Sequence, residues 1–329
     1  MIDPKVPAIV LAPMDGITDA PMRELLSRVG CFSHAVSEFI RVSCMPLPPK
    51  VFSREVPELA NGARTRSGMP VHVQILGGDP ERLAISAQNA VAAGAKAIDI
   101  NFGCPAPTVN RNDGGASLLR SPCRIREIVR SVRAALPSDL PVSAKLRLGW
   151  DDVDDVHRNA EMAAEGGASW LTLHARTKVQ GYQPPVYWPH IGAVRARVGI
   201  PVIANGDIWT LDDFRRCRDE TGCIHFMIGR GALANPNLSH EMASELGLPP
   251  GQIWNGDWVS LLGEFLKVNE SFPDYAPIRA LLRLKQWAKL ANQFGQFPCF
   301  EAVKVTRTVE EFFDALRRSS ESHSAVISS

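Results

Sequence analysis

The chain has no close pair of cysteines and no long apolar run. Its seven cysteines are an odd number without a Cys-x-x-Cys pair, which argues against a disulfide framework and a cysteine-based zinc site, so no metal is expected. No stretch approaches the roughly 18 consecutive apolar residues of a membrane span, and the amino terminus is too rich in proline for a signal peptide. A cytoplasmic protein that does not enter membranes is therefore expected.

The sequence also has little excess charge. It holds 36 Lys and Arg against 35 Asp and Glu, a formal net charge of +1. The protein as a whole therefore does not attract a polyanion such as nucleic acid electrostatically. Contact with nucleic acid would need a local basic cluster. Residues 275–318 hold one, with eight Lys or Arg against four Asp or Glu. On charge alone this stretch is equally a solvated helix face or a nucleic-acid surface.

No Gly-x-Gly-x-x-Gly turn follows the first β-rich run, so the signature of an open dinucleotide-binding sheet is missing. Short β-rich runs alternate instead with amphipathic helical stretches, which is the pattern of parallel βα units. Eight such runs favour an α/β fold of the (β/α)₈ TIM-barrel type. The predicted strands are residues 8–14, 35–39, 71–76, 97–101, 142–146, 170–174, 202–204 and 225–228.

The length of 329 residues exceeds what one hydrophobic core normally supports. A catalytic barrel is predicted at residues 1–245, followed by a proline- and glycine-rich linker at 246–255. A small all-helical domain is predicted at 256–320, with helices at 258–270, 277–292 and 299–317, and a disordered polar tail at 321–329.

Polar side chains stand at the C-terminal ends of the predicted strands, the end that forms the active site of a TIM barrel. Asn205-Gly206-Asp207 and Gly229-Arg230-Gly231 follow the last two strands. Loops at these positions often bind phosphate through backbone N–H groups, and an arginine pairs with an anion bidentately. The residues alone therefore predict a ligand that is a phosphate ester.

One segment, AIDINFGCPAPTVNRNDGGASLL, runs from a predicted strand into an Asn-x-Gly-Cys-Pro motif. It resembles the motif of the tRNA-dihydrouridine synthases, and LAPMDGITD, SEF, KLRLGW, HARTKVQGY, ANGDI and MIGRGAL follow the order of that family. EFIRV and RLKQW make the chain most similar to the bacterial subfamily that acts on uridine 16 of the D loop. The resemblance implies an FMN enzyme that reduces a uridine of tRNA to 5,6-dihydrouridine, with NADPH or NADH as a transient reductant. A monomer is expected.

Reduction of the uracil C5–C6 bond needs a hydride at one carbon and a proton at the other. A thiol with the usual pKa of about 8.5 is mostly protonated near pH 7 and still acidic enough to donate. By the resemblance, Cys104 is this donor, whereas the alternative is an inert buried cysteine. Asn101 is expected to fix the base, with a turn or capping role as its alternative.

The resemblance also assigns residues to the cofactor and to the RNA. Lys145 is expected to stabilise the negative charge of reduced flavin, and Gln74 to bind the pyrimidine edge of the ring. The whole predicted cofactor set is Pro13, Met14, Asp15, Gln74, Lys145, His174, Asn205, Gly206, Asp207, Gly229 and Arg230. The predicted contacts with tRNA are Arg41, Arg176, Tyr182, Arg283, Lys285 and Lys304, in which Tyr182 either stacks on a base or belongs to the core.

Two other functions remain open at this point. An FMN barrel of the dihydroorotate dehydrogenase kind would act on a free pyrimidine. Such a function does not explain the basic stretch at 275–318. A tRNA-binding chaperone that has kept the fold without redox activity would need no flavin.

Overall fold

A computed structural model describes residues 2–111, 113–249, 251, 253–294 and 297–327. Nine parallel strands form one sheet, in which β1 lies between β2 and β9 and a pairing of β2 with β4 closes the ring. The strands are β1 Ala8–Leu11, β2 His34–Val36, β3 Ile40–Arg41, β4 Val71–Leu76, β5 Ile98–Phe102, β6 Val142–Arg147, β7 Leu171–His174, β8 Val202–Asn205 and β9 His225–Ile228.

Fourteen α-helices and two short 3₁₀ helices, Pro57–Asn61 and Gly115–Arg120, are described, and the α-helices that follow the strands cover the outside of the sheet. The α-helices are α1 Ala20–Val29, α2 Pro49–Glu55, α3 Pro80–Ala92, α4 Pro107–Asn110, α5 Pro122–Ala135, α6 Asp155–Glu165, α7 Trp188–Arg195, α8 Leu211–Thr221, α9 Arg230–Ala234, α10 Leu238–Glu245, α11 Trp258–Glu270, α12 Pro277–Gln293, α13 Phe300–Val303 and α14 Val309–Ile327. The predicted TIM barrel with C-terminal helices is confirmed.

Two strands differ from their predicted bounds for local reasons. β1 ends at Leu11 rather than at residue 14, because Pro13 has no N–H to continue the ladder. The second predicted strand, 35–39, is split into β2 and β3. At the break, the side-chain hydroxyl of Ser37 accepts a hydrogen bond of 3.0 Å from the Gln74 N–H, and the Glu38 carboxylate accepts one of 3.1 Å from the Ile17 N–H.

The interior of the barrel changes character along its axis. Val10, Trp170 and Ile203 belong to a small apolar cluster inside the ring. Alternation along a strand points every second residue inward, so the register that pairs Asp99 with Gln74 and Ser143 also points these polar side chains into the barrel. The strand ends are therefore polar where the centre is apolar, and inside the barrel a polar ligand is favoured at the strand ends.

The C-terminal helices share their hydrophobic core with the barrel. One cluster of buried side chains runs from the barrel helices to residues of α11, α12 and α14. The indole N–H of Trp287 donates a 2.8 Å hydrogen bond to the carbonyl of Leu233 in α9, and Arg28 of α1 pairs with Glu264 of α11 at 2.6 Å. The helical region is thus fixed to the barrel on two sides.

The C-terminal third also departs from the predicted segmentation. The single helix predicted at 299–317 is wrong, because α13 ends at Val303 and α14 begins at Val309. The Thr308 hydroxyl accepts a 3.1 Å hydrogen bond from the Glu311 N–H, a capping contact that starts a new helix. Helix α14 continues to Ile327 where a disordered tail was predicted, and residues 328–329 of that tail lie outside the described residues. Within the predicted linker, 246–255, the described residues form neither helix nor strand.

Candidate active site

A cavity of about 330 Å³ opens at the C-terminal ends of the strands. All the residues predicted to hold the cofactor line it, together with Asn101, Cys104 and Tyr182. It is also lined by residues without a role assigned from the sequence, among them Phe39, Arg147, Ile208 and Trp209. The volume and the mixed polar and apolar lining are typical of a small-molecule site.

Cys104 lies on the loop after β5, half-buried in the wall of the cavity. Burial raises the pKa of its thiol above the usual value, which outweighs a smaller opposing hydrogen bond from the Ala106 backbone. The thiol is therefore protonated at neutral pH. Gly115 packs against this loop at a positive φ of 59°, and a Cβ there would lie 3.2 Å from the Cβ of Cys104. The backbone conformation and the close approach both require glycine.

A chain of three side chains, two of which line the cavity, holds the Cys104 loop. The Oδ1 atom of Asn101 accepts hydrogen bonds from the backbone N–H groups of Gly103 at 2.9 Å and Cys104 at 2.8 Å. Its Nδ2 atom donates to Oε1 of Gln74 at 2.9 Å, and Nε2 of Gln74 donates to Asp99 at 2.7 Å. The structure therefore favours the alternative turn role for Asn101, and Gln74 already has partners for both ends of its amide.

Lys145 is a half-buried cation in the wall of the cavity. Burial lowers its pKa to about 8, with a further lowering by nearby Arg147. Its Nζ atom donates a 3.0 Å hydrogen bond to Oδ1 of Asn205, whose Nδ2 atom donates to the carbonyl of Met227 at 2.9 Å. The amide of Asn205 is thus held with its oxygen towards the lysine.

His174 is a neutral histidine in the same wall. Burial holds its pKa well below the usual value, and the positive charges of Arg147 and Lys145 add to this effect. Its Nδ1 atom is buried and has no hydrogen-bond partner in the part of the chain that the structure describes. A buried ring nitrogen without a partner is costly, so a polar group of a ligand would stabilise it.

Asp207 joins two arginines at the loop after β8. The guanidinium of Arg176 is fully buried and forms a bidentate ion pair with the Asp207 carboxylate, with one N···O distance of 2.7 Å. Arg230 reaches the same carboxylate at 3.4 Å. Because Asp207 has a positive φ of 51°, these arginines hold a backbone that few residues adopt. The structure favours a positioning role for Arg176 over a direct contact with substrate.

The two predicted phosphate loops lie side by side at the mouth. Gly206 has a φ of +120°, and a Cβ there would lie 3.2 Å from the backbone nitrogen of Ala175. A Cβ on Gly231 would lie 2.2 Å from the carbonyl oxygen of Ile208, so only glycine allows the two loops to pack this closely. Arg230 is held between two aromatic rings, 4.7 Å from the ring centres of Tyr182 and Trp209.

Of the residues predicted to contact tRNA, two lie near the cavity with exposed surface. Tyr182 is 55% exposed, which rules out the alternative that it belongs to the core, and its ring meets His174 edge to face. Arg41 is the last residue of β3, and its guanidinium donates a 3.2 Å hydrogen bond to the carbonyl of Thr108.

The basic residues predicted in the tail have partners within the chain. Arg283 pairs with Asp19 at 3.1 Å and donates to the carbonyls of Gly16 and Ile17. Lys285 donates to the carbonyl of Lys304 at 2.9 Å and to that of Thr306. Lys304 pairs with Glu301. These cations stabilise the C-terminal helices, and Arg283 ties them to the turn after β1.

Some residues at and around the site had no role assigned from the sequence, among them Asp99, Arg147 and Trp209. Asp99 and Arg147 point inward because each lies two residues from a predicted site residue on the same strand, Asn101 or Lys145. Arg147 donates to the carbonyls of Gly103 at 2.9 Å and Gly181 at 2.8 Å, so it ties the Cys104 loop to the Tyr182 loop. The inward alternation was a signal that would have found both. Trp209 follows the ANGDI motif and offered no comparable signal.

The fold and this site define a TIM-barrel enzyme whose cavity carries a protonated thiol and several buried cations. A family model described as dihydrouridine synthase matches residues 10–252. The chain is 46% identical to a tRNA-dihydrouridine(16) synthase of Aquipseudomonas alcaligenes, over 87% of this chain and 90% of that protein. It is 43% identical to one of Shewanella oneidensis, over 94% and 97%, and 43% identical to one of Neisseria meningitidis serogroup B, over 92% of each.

The chain therefore belongs to the dihydrouridine synthase family. The family predicted from the motifs is confirmed, and so is the prediction of a flavin-dependent oxidoreductase. Among the described residues, no helix is long and apolar enough to cross a membrane.

Proposed function

We propose that this protein reduces uridine 16 in the D loop of tRNA to 5,6-dihydrouridine, with FMN held in the strand-end cavity. The observation that carries the proposal is that a protonated thiol and a half-buried cation, Cys104 and Lys145, line one cavity. Reduction of a uracil double bond needs an acid for one carbon and positive charge beside an electron-rich cofactor. Position 16 is chosen because the relatives of known name are tRNA-dihydrouridine(16) synthases.

The residues present fit FMN. The unpartnered Nδ1 atom of His174 can accept from or donate to a polar group of the ring, depending on its tautomer. The close-packed glycine loops after β8 and β9, with Arg230 beside them, suit the phosphate. Pro13 and Met14 offer apolar surface beneath the ring. When bound and reduced, FMN supplies the hydride, which no side chain can provide.

Cys104 supplies the proton. Because burial keeps the thiol protonated, it can donate to C5 of the uracil as the hydride arrives at C6. Asn101 holds the loop at two consecutive N–H groups, so the sulfur has a fixed place in the wall. We assign Asn101 to positioning the acid, in addition to any contact with the base.

Lys145 and His174 shape the electrostatics of the cavity. Lys145 gives a positive charge in a water-poor environment, where charges interact strongly, and so stabilises an anionic ring. Neutral His174 adds a directional hydrogen-bonding group without a second charge. Together they favour an electron-rich cofactor over a neutral one.

The target base must leave the stacked loop to reach this cavity, as bases do in other enzymes that modify them. Tyr182 at the mouth is placed to stack on the extruded uridine or on its neighbour, and Arg41 to contact a phosphate. We propose that residues 256–320 orient the tRNA, that NADPH reaches the FMN transiently, and that the protein acts as a monomer in the cytoplasm, where its substrate is found.

The test is the Cys104→Ala variant of the flavin-loaded protein, given NADPH and tRNA from cells that lack the enzyme. The variant is expected to keep its yellow colour and lose flavin absorbance on addition of NADPH, because neither step uses the thiol. Dihydrouridine formation is expected to fall by at least about 100-fold, the usual lower range for loss of a general acid. Unchanged tRNA reduction would overturn the assignment of the acid.

Mapping the modified nucleotide tests the position. Wild-type protein is expected to convert uridine 16 and to leave the other D-loop uridines unchanged. Conversion at another position would correct the specificity without touching the chemistry. Turnover of free orotate or dihydroorotate, with tRNA left unreduced, would replace the proposal by the free-pyrimidine alternative.

A further inference from the structure

A cluster of three metal-ligating side chains lies outside the cavity, at the amino-terminal ends of α6 and α7. Asp154 immediately precedes α6, His157 lies in the first turn of α6, and His190 lies in the first turn of α7. One possible ligand atom from each residue lies within 4.8 Å of the others. None of the three lines the strand-end cavity, so the cluster is separate from the flavin site.

We propose that Asp154, His157 and His190 form a binding site for a zinc-class divalent transition metal. Two imidazoles and one carboxylate are the donors that Zn²⁺ and its neighbours prefer, whereas Ca²⁺ and Mg²⁺ prefer oxygen ligands alone. The three residues leave a fourth position for water. The absence of cysteine pairs, which argues against a cysteine zinc site, places no limit on a site made from histidines.

The distances suit such an ion. Nδ1 of His190 and Oδ1 of Asp154 are 3.4 Å apart, and tetrahedral zinc with bonds of about 2.1 Å separates its ligands by about 3.4 Å. The ligand nitrogen of His157 lies within 4.8 Å of the other two ligand atoms, so a small movement brings all three around one ion. The Asp154 side chain is 74% exposed and free to turn, so it can make that adjustment without displacing packed residues.

A second observation comes from His157. Its Nδ1 atom is buried and has no hydrogen-bond partner among the residues that the structure describes. Its ring centre lies 6.3 Å from that of His190, so the two imidazoles already share one small space. A ring nitrogen removed from water without a partner costs free energy. Coordination of a metal ion by Nδ1 itself would supply the missing partner and remove that cost.

The site would join two segments at the rim of the barrel. Helix α6 follows the segment with Gly149 and Trp150, and α7 follows the segment with Lys178 and Val179. These segments already exchange backbone hydrogen bonds, from Lys178 N to Gly149 O at 2.9 Å and from Val179 N to Trp150 O at 2.8 Å. An ion that links the two helix starts would restrain both segments. We therefore infer a structural ion that stabilises the rim.

The experiment is a calorimetric titration of the flavin-loaded protein with ZnCl₂ after treatment with a chelator. All proteins carry Cys44→Ser and Cys123→Ser, which remove two exposed thiols that could bind zinc elsewhere. One equivalent of zinc is expected to bind. His157→Gln with His190→Gln is expected to weaken this binding by more than about 100-fold, since even the groups that support a metal ligand contribute about 10–100-fold.

Asp152→Asn is the matched control, because Asp152 lies beside Asp154 and is not one of the three ligands. It is expected to change zinc affinity much less than Asp154→Asn does. A parallel thermal melt is expected to show a higher melting temperature with zinc for the control and no shift for the double histidine variant. Zinc binding that survives the loss of both histidines, or no binding by the parent protein, would overturn the proposal.

Discussion

The carboxylate of Asp99 accepts a 2.7 Å hydrogen bond from the side-chain amide of Gln74. Asp99 is 2% exposed and also accepts a 2.5 Å hydrogen bond from the Ser143 hydroxyl. Burial raises the pKa of the Asp99 carboxyl group, and the hydrogen bonds from Ser143 and Gln74 oppose that rise. Both oxygens of Asp99 accept here, so the nitrogen of Gln74 faces Asp99 and its oxygen faces Asn101. That orientation turns the oxygen of Asn101 towards the Cys104 loop. One buried carboxyl group thereby sets the direction of two amides.

Asp99→Asn tests this relay. An asparagine can present either a donor or an acceptor to Gln74, so the amides lose their fixed direction and the Cys104 loop its fixed place. Dihydrouridine formation is expected to fall by about tenfold, equivalent to about 1.4 kcal/mol of barrier. The alkylation rate of Cys104, followed by mass spectrometry of its peptide, is expected to change as well.

Ser143→Ala is the control for the relay, because it removes the other hydrogen bond to the same carboxylate and leaves Gln74 in place. It is expected to keep the alkylation rate of Cys104. Equal changes in both variants would indicate a general loss of packing rather than an effect on orientation.

Lys145 gives a stability prediction for the protein without flavin. Its folded pKa of about 8 lies below the ordinary 10.5, so the unfolded chain binds an extra proton between these values and stability rises with pH across that window. Below pH 8 the charge costs at most about 3 kcal/mol, because Lys145 is half-buried and solvent screens part of its charge. Lys145→Met is expected to raise the free energy of unfolding at pH 7 by at most about 2 kcal/mol, after the loss of one hydrogen bond.

The advantage of the Lys145→Met variant should shrink from pH 8 to pH 10.5, as wild type loses the proton. Denaturant unfolding of both proteins across that range measures it. A constant difference between the two curves would show that packing, and not charge, separates them.

The histidines inside the barrel predict a loss of stability in acid. Burial lowers the pKa of His72 to about 3, and His34 stacks on it with ring centres 4.0 Å apart. Because the folded pKa lies below the unfolded value of about 6.5, the unfolded chain binds more protons as pH falls from 6.5 towards 3, and stability is lost there. His72→Phe keeps a ring and removes the proton site.

The measurement is the melting temperature of wild type and His72→Phe between pH 7.5 and about pH 4.5. The variant is expected to lose less stability over that range, whatever its value at neutral pH. Parallel curves for the two proteins would rule out His72 as a source of the acid sensitivity.

Arg41 and Arg283 allow a basic residue that contacts tRNA to be distinguished from one that stabilises the fold. Arg41→Gln is expected to reduce the salt dependence of tRNA binding by about 0.7 in the slope of log K against log salt, the contribution of one phosphate contact in a single-stranded segment. Arg283 is engaged by Asp19 and the turn after β1. Arg283→Gln is therefore expected to lower the melting temperature and to leave the salt slope nearly unchanged. A lower slope in both variants would restore Arg283 as a phosphate contact.

The sequence predicted positions on the strands well and partners of side chains poorly. Inward alternation and the barrel rule bring Gln74, Lys145 and His174 to one cavity, because strand periodicity is a local property. The partner of a long side chain depends on tertiary contacts that no local pattern contains. Arg176 and Arg283 were both predicted to contact tRNA, whereas in the structure both form ion pairs with carboxylates from distant segments.

Trp287 lies in the middle of α12 and donates a hydrogen bond to α9, the short helix that begins with Arg230. The predicted phosphate loop after β9 is thus stabilised by a residue from the C-terminal part of the chain. A shortened protein that stops after α10 would lose this brace and uncover apolar side chains. The barrel, expressed without residues 256–320, would therefore lack contacts that stabilise the loop after β9.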